Sequence, residues 1–258
     1  MKPRASDSLR LASYNIRKAV GTDRRRDPHR ILGVIAGLDA DIVALQEADR
    51  RLGARPSALP VGDIRSHTGL VPVPVSGDGP SLGWHGNALL VRPEAQVTGL
   101  SRLDLPGIEP RGAVAADLVL RGEPLRVIAV HLGLLRSSRR RQLSSLIEKL
   151  GTLAPIPTII AGDLNEWSLD VGLGRMARHF TIHAPGKSFH ANLPLGALDR
   201  IALDQNLEQS AAGVVDTTLA RRASDHLPIW MDVRVKHAAS GSPSVDSGAE
   251  GAGPGKPS

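Results

Sequence analysis

Two short segments carry residue types that can hydrolyse a phosphate ester. Gly162-Asp163-Leu164-Asn165 and Ser224-Asp225-His226-Leu227-Pro228 each abut an apolar run that reads as a buried strand. Pro157-Thr158-Ile159-Ile160-Ala161 leads into the first, and Leu227-Pro228-Ile229-Trp230-Met231 follows the second. A carboxylate at a strand end can hold a divalent cation or orient a water. An amide can donate to a phosphate oxygen, and an imidazole can move a proton near neutral pH. Asn15, Glu47, His131 and Asp199 also stand at or just past the ends of predicted strands. A polar group that interrupts an apolar run is costly unless it is paired. One such residue is a cap or a hydrogen-bonded core group; six such clusters in one chain are harder to explain that way.

The elements that must position these residues alternate along the chain. Strands are predicted over residues 9–16, 41–47, 87–92, 113–120, 125–132, 157–161, 199–203 and 228–235. A helix is predicted to start at Asp27-Pro28, with Pro at an early helical position and Ile31, Val34, Ile35 and Leu38 on one face. A second helix, capped by Ser137 or Ser138, repeats Leu143, Leu146, Ile147 and Leu150 at helical spacing. Residues 53–83 hold too much Pro and Gly to be regular throughout. Many strands, few helices and long connections point to sheets inside and helices outside rather than a simple doubly wound sheet.

The chain of 258 residues is long enough for one large α/β domain. Residues 1–8 read as a flexible polar leader, 9–236 as the compact domain, and 237–258, rich in Gly, Ser, Ala and Pro, as a disordered tail. The absence of cysteine excludes disulfides, thiolate metal sites and a cysteine nucleophile. No apolar stretch approaches the roughly 20 residues of a membrane helix, and no signal peptide is visible, so a cytoplasmic protein without stable membrane insertion is expected. The formal charge is +6 and mostly arginine, which suits a phosphorylated or polyanionic partner, although a compositional bias toward arginine would read the same way. Aromatics are too scarce for stacking-based readout of single strands.

Seven motifs in order resemble the endonuclease/exonuclease/phosphatase superfamily of metal-dependent phosphoesterases. They are Ser13-Tyr14-Asn15-Ile16, Leu45-Gln46-Glu47, Gly86-Asn87-Ala88-Leu89, Val130-His131-Leu132, Gly162-Asp163-Leu164-Asn165, Leu198-Asp199-Arg200-Ile201 and Ser224-Asp225-His226-Leu227-Pro228. Each is weak alone; together they cover nearly all of residues 9–235 and are specific. The resemblance implies a four-layer α/β sandwich, two facing mixed β-sheets flanked by helices, with the site at one edge.

It further implies Mg²⁺ or Mn²⁺ held by Glu47, with Asn15 and Asp225 nearby, an oxygen set that suits a hard cation. Asp163 matches a water-orienting carboxylate, Asn165 a phosphate-contacting amide, and His226 a proton-transfer or phosphate-contacting imidazole held by Asp199; which of Asp163 and His226 is the base stays open. His131 stands where abasic-site endonucleases of the family commonly carry tyrosine and the deoxyribonuclease and sphingomyelinase branches carry histidine. A cationic His131 would stabilise charge on the phosphate or protonate the leaving oxygen. Asn87 and Arg111 are candidate substrate contacts, or turn residues. The expected activity is a phosphodiesterase or endonuclease on DNA or RNA. The alternatives are a phospholipid or small-molecule phosphoesterase and, in another class, a non-catalytic binding protein of the same fold. The Arg24–Arg26 and Arg139–Arg141 runs are candidate phosphate contacts or solvated faces. Oligomeric state is beyond the sequence.

Overall fold

The structure, a computed structural model, describes residues 5, 7–50, 53–107 and 109–236. The tail expected over 237–258 lies outside the described residues, as does most of the leader. Ser8, assigned to that leader, is fully buried, and its hydroxyl donates to the Ala5 carbonyl at 2.9 Å.

Among the described residues, twelve strands and four α-helices follow in chain order: β1 (Leu9–Asn15), α1 (Pro28–Ala36), β2 (Ile42–Gln46), α2 (Val61–Thr68), β3 (Val71–Pro72), β4 (Ala88–Val91), β5 (Gln96–Leu105), β6 (Arg111–Leu120), β7 (Glu123–His131), α3 (Arg136–Leu150), β8 (Thr158–Asp163), β9 (Thr181–His183), β10 (Asp199–Leu203), β11 (Leu207–Val214), α4 (Thr218–Ala223) and β12 (Ile229–Val235). They form two six-stranded mixed sheets, ordered β11-β12-β1-β2-β4-β3 and β5-β6-β7-β8-β10-β9. Each sheet has one parallel pair, β1 with β2 and β7 with β8. Three apolar clusters fill the three interfaces of four layers. Leu11, Ile42, Val127 and Ile159 lie between the sheets; Ile31, Ile35 and Ile64 seal the first sheet under α1 and α2; Leu143 and Leu146 of α3 cover the second. The fold is the four-layer sandwich expected from the sequence.

Strand alternation brings the polar residues together. On β1, β7, β8 and β10 the residues that fill the middle layer are Leu9 and Leu11, Val127 and Ala129, Ile159 and Ala161, and Ile201 and Leu203. Two residues farther along β1, β7 and β8, or before β10, the same face holds Ser13 then Asn15, His131, Asp163 and Asp199. In register, Asp163 stands between His131 on one neighbour and Asp199 on the other. The apolar layer between the sheets therefore ends in a polar layer at one edge. Gly162 permits this spacing: a Cβ there would meet the Val130 carbonyl oxygen at 1.8 Å, so only glycine lets β8 lie this close to β7.

One of the two predicted helices starts as expected and the other does not. Asp27 caps α1 as predicted, its carboxylate accepting the Arg30 N–H. The N-cap of α3 is Leu135, with no side-chain cap, and Ser138 is buried in the first turn. The Arg139 guanidinium donates to the Leu134 carbonyl at 2.6 Å, and Gln142 Oε1 accepts the Gly133 N–H at 2.8 Å, so the entry is fixed from within the helix.

A buried ion pair ties β1 to β12. Arg10 donates from Nε and Nη2 to the two oxygens of Asp232 at 2.7 and 2.9 Å, and its guanidinium lies 4.7 Å from the Trp230 ring centroid. Asp232→Ala would leave that charge buried without its fork partner, so unfolding in urea should reveal a loss of roughly 3–5 kcal/mol. A loss below about 1 kcal/mol, the range of an exposed pair, would contradict this reading.

Candidate active site

Asp163 is the centre of the polar layer. Its Oδ2 accepts from Asn15 Nδ2 at 3.1 Å and lies 3.5 Å from His131 Nε2 and 3.6 Å from His226 Nε2. Its Oδ1 accepts the Asn165 N–H at 2.9 Å. Behind His226, Asp199 Oδ2 takes Nδ1 at 2.9 Å and the Ser188 hydroxyl at 2.5 Å. Asp163, Asp199 and His226 are the group of acidic and imidazole side chains, among the described residues, whose ligand atoms all lie within 4.8 Å of one another. Ser224, at the end of α4, closes the ring, its hydroxyl donating to the Asn15 carbonyl at 2.7 Å.

Glu47 reaches the site by a different route. Strand alternation would turn it away from the middle layer, but its backbone is left-handed, with φ 53°. It lines a cleft of about 200 Å³ together with Lys18, Arg55, His85, Arg111 and His131. Arg17, Lys18 and Ala19 are also left-handed, with φ between 44° and 61°, and Asn165 has φ 50°. Such conformations cost of order 1–3 kcal/mol each in non-glycine residues and gather where a site demands them. The Lys18 N–H donates to the Glu47 carbonyl, and the Lys18 ammonium pairs with the Glu47 carboxylate. The position expected to hold a cation thus already faces one from the chain itself.

A model of the Endonuclease/Exonuclease/phosphatase family matches residues 12–226. The chain belongs to this family. No curated protein sequence matches it significantly. An endonuclease/exonuclease/phosphatase from Beutenbergia cavernae has a similar structure at 23% identity, with TM-score 0.67, over 91% of this chain and 72% of that one. A mannosyl-6-phosphatase of Bacteroides thetaiotaomicron is similar at 19% identity and TM-score 0.70 (88% and 99% covered). So is TDP2 of D. rerio, solved with a single-strand DNA product, at 17% and 0.68 (89% and 100% covered). At these identities the likeness is one of fold. Family members are generally hydrolytic phosphoesterases that depend on a divalent metal.

The structure gathers Asn15, His131, Asp163, Asn165, Asp199 and His226, and leaves some predicted residues at the margin of that cluster. Asp225 is beside the site, but its Oδ2 is held by Arg17 Nε at 3.2 Å. Arg111 lines the cleft, already paired with Glu109 at 2.7 Å. Asn87 is fully buried and its Nδ2 donates to the Gly112 carbonyl at 2.9 Å, so its amide joins β6 to the turn before β4. Asn165 Nδ2 likewise donates to the Leu132 carbonyl at 2.9 Å. Sequence reasoning missed Ser188 and Lys18. Ser188 sits in an irregular segment that nothing local marks; Lys18 follows the Asn15 motif by three residues, and only its left-handed backbone turns it to Glu47.

The two imidazoles differ in charge. Burial alone would lower the His226 pKa, but Asp199 and Asp163, with Asp225 behind them, outweigh it and raise it to about 9. Burial lowers His131, reinforced by Arg111, His226 and Lys18 and only partly opposed by Asp163, to about 3. At pH 7 His131 is therefore neutral, not the cation expected from the sequence, because its buried ring has only a shared carboxylate at 3.5 Å.

The linkage gives opposite limbs to stability in chelator-treated protein. The His226 contribution is full below its unfolded value of 6.5 and is lost as pH rises through about 9. The His131 contribution is full above 6.5 and is lost as pH falls from there toward about 3. Thermal unfolding against pH should peak near 6.5. His226→Asn should flatten the alkaline limb, and His131→Asn part of the acid limb, since carboxylates titrate there too. A His226→Asn profile parallel to wild type above pH 7 would refute the charge assignment.

Proposed function

We propose that this protein is a divalent-metal-dependent phosphodiesterase. The observation that carries the reading is the convergence on Asp163 of Asn15 and His131 and of His226, which Asp199 and Ser188 brace from behind. The donor set fits a hard cation: Glu47, Asn15 and Asp225 offer oxygen ligands, and Glu47 already faces an ammonium in the cleft. Those three residues would hold Mg²⁺ or Mn²⁺, which when bound supplies Lewis acidity to a phosphate oxygen.

The chain's own residues do the rest. Asp163, the carboxylate at the centre, accepts a proton from the attacking water. His226, charged at pH 7 and held at Nδ1 by Asp199, presents Nε2–H to a phosphate oxygen. Neutral His131 and Asn165 donate hydrogen bonds to the phosphate as charge gathers on it. On this proposal Asp163 rather than His226 is the base, because a group already protonated at pH 7 cannot be the acceptor.

Nucleic acid is the substrate class that the net charge of +6 favours. A specific observation favours a second class, a phospholipid: the loops that follow β7 and β8 and precede β10 carry exposed aliphatic side chains, and two of the cleft's cations, Lys18 and Arg111, are paired with Glu47 and Glu109. Nicking of supercoiled plasmid with Mg²⁺ or Mn²⁺, compared with hydrolysis of phospholipid vesicles, separates the two. Nicking by wild type and not by His226→Ala would assign nucleic acid. Phospholipid hydrolysis without nicking is the result this reading favours.

A further inference from the structure

Seven of the eleven exposed large hydrophobic side chains among the described residues lie on three loops at the catalytic edge. Leu134 and Leu135 follow His131 at the end of β7, 64% and 58% exposed. Trp167, Leu169 and Val171 follow Asp163 and Asn165 after β8, with Trp167 61% exposed. Leu193 and Leu195 precede Asp199 and β10.

The three loops are bound into one surface. Arg139 donates to the Leu134 carbonyl and pairs with Glu166 at 2.9 Å, joining the first loop to the second. Gly196 lies against the Trp167 ring, where an added Cβ would come within 2.8 Å, and this joins the second loop to the third. The Phe189 ring stands between Trp167, at 6.0 Å, and the catalytic imidazole of His226, at 4.9 Å. The rim is therefore connected to the site through these contacts. Exposed leucines in such number are costly in water.

Charge beside the first of these loops is basic, while Asp170 is the exposed acid of the second. Arg136, Arg140 and Arg141 of α3 are exposed, and Arg140, Arg141 and Arg175 line one groove together with Glu148. The first turn of α3 carries no acidic residue. Aliphatic side chains that can enter an acyl layer, flanked by guanidiniums at headgroup level, are what an anionic lipid surface takes. Nucleic acid would use the arginines and leave the leucines in water, because bases stack on aromatic faces and only Trp167 offers one on this rim.

We infer that this rim docks the protein on an anionic phospholipid surface, with the catalytic edge facing the headgroups. The choice of ligand rests on the phosphodiesterase reading; the docking itself does not need catalysis. It is measured by co-sedimentation with vesicles of phosphatidylcholine and phosphatidylglycerol in equal parts, in chelator, with wild type, His226→Ala and a Leu134→Ser/Leu193→Ser/Leu195→Ser variant. Wild type and His226→Ala should sediment alike, and the serine variant should partition about tenfold less or worse. Trp167 emission should shift to the blue on vesicle addition, a shift absent from Trp167→Phe. An unchanged thermal unfolding profile shows that the serine variant is folded; should it not be, Leu193→Ser alone with the Trp167 readout replaces it. Failure of wild type to bind, equal binding by the folded variant, or a wild-type dimer without vesicles that the serine changes dissociate would overturn the inference. So would wild-type affinity for duplex DNA that the serine changes abolish. Binding retained without hydrolysis of any phosphodiester would instead refute the phosphodiesterase reading.

Discussion

His226→Ala is expected to lower turnover by roughly two orders of magnitude or more while leaving the fold intact. The imidazole is 5% exposed and makes two directed contacts, Nδ1 with Asp199 and Nε2 toward Asp163. Alanine removes the donor to the phosphate and leaves Asp199 with the Ser188 hydroxyl alone. Phe189, already against the ring, can lean into the space, which limits the structural cost. His226→Gln is the sharper companion, since it restores a donor without a titratable charge. If the imidazolium is what matters, His226→Gln recovers little activity and loses the alkaline fall in rate. Full activity in the alanine variant would sink the assignment.

Glu47→Gln carries the second large effect. It keeps the volume and the left-handed turn while removing the carboxylate that the reading assigns to the cation. Turnover should drop by about two to three orders of magnitude, the several kcal/mol that a bound cation supplies to a phosphoryl transition state. Calorimetric titration with Mn²⁺ should show the heat of binding in wild type and none in the variant. That readout is independent of any substrate. Undiminished Mn²⁺ binding in Glu47→Gln would move the cation to the Asp163, Asp199 and His226 cluster.

Most of this site was legible in the sequence because its residues terminate strands. Asn15, His131, Asp163 and Asp199 each extend an inward-facing apolar alternation, so the pattern that predicts the strand also predicts the side on which the polar residue lies. Glu47 breaks that rule through a left-handed backbone, and its motif, not its periodicity, pointed to it. Ser188 and Phe189 come from an irregular segment whose position depends wholly on tertiary packing. Strands β5 and β11 went unpredicted for a related reason. Each lies at a sheet edge with much of its surface exposed, so neither shows an apolar run, and backbone pairing with β6 or β12 decides its conformation. Helix α2 lies inside the Pro- and Gly-rich stretch over 53–83, where one buried residue, Ile64, is too little to show a period. The apolar rim was hidden for the opposite reason: its leucines are scattered over about sixty residues, and only the fold brings their loops to one edge.

The most direct test of the phosphodiesterase claim is hydrolysis of three phosphodiesters, plasmid DNA, vesicle phospholipid and bis(p-nitrophenyl) phosphate, by chelated protein before and after addition of Mn²⁺, with His226→Ala alongside. At least one should be cleaved by wild type only after the cation is added, and slowly or not at all by the variant. Cleavage of none of the three, or equal cleavage by both proteins, would contradict it.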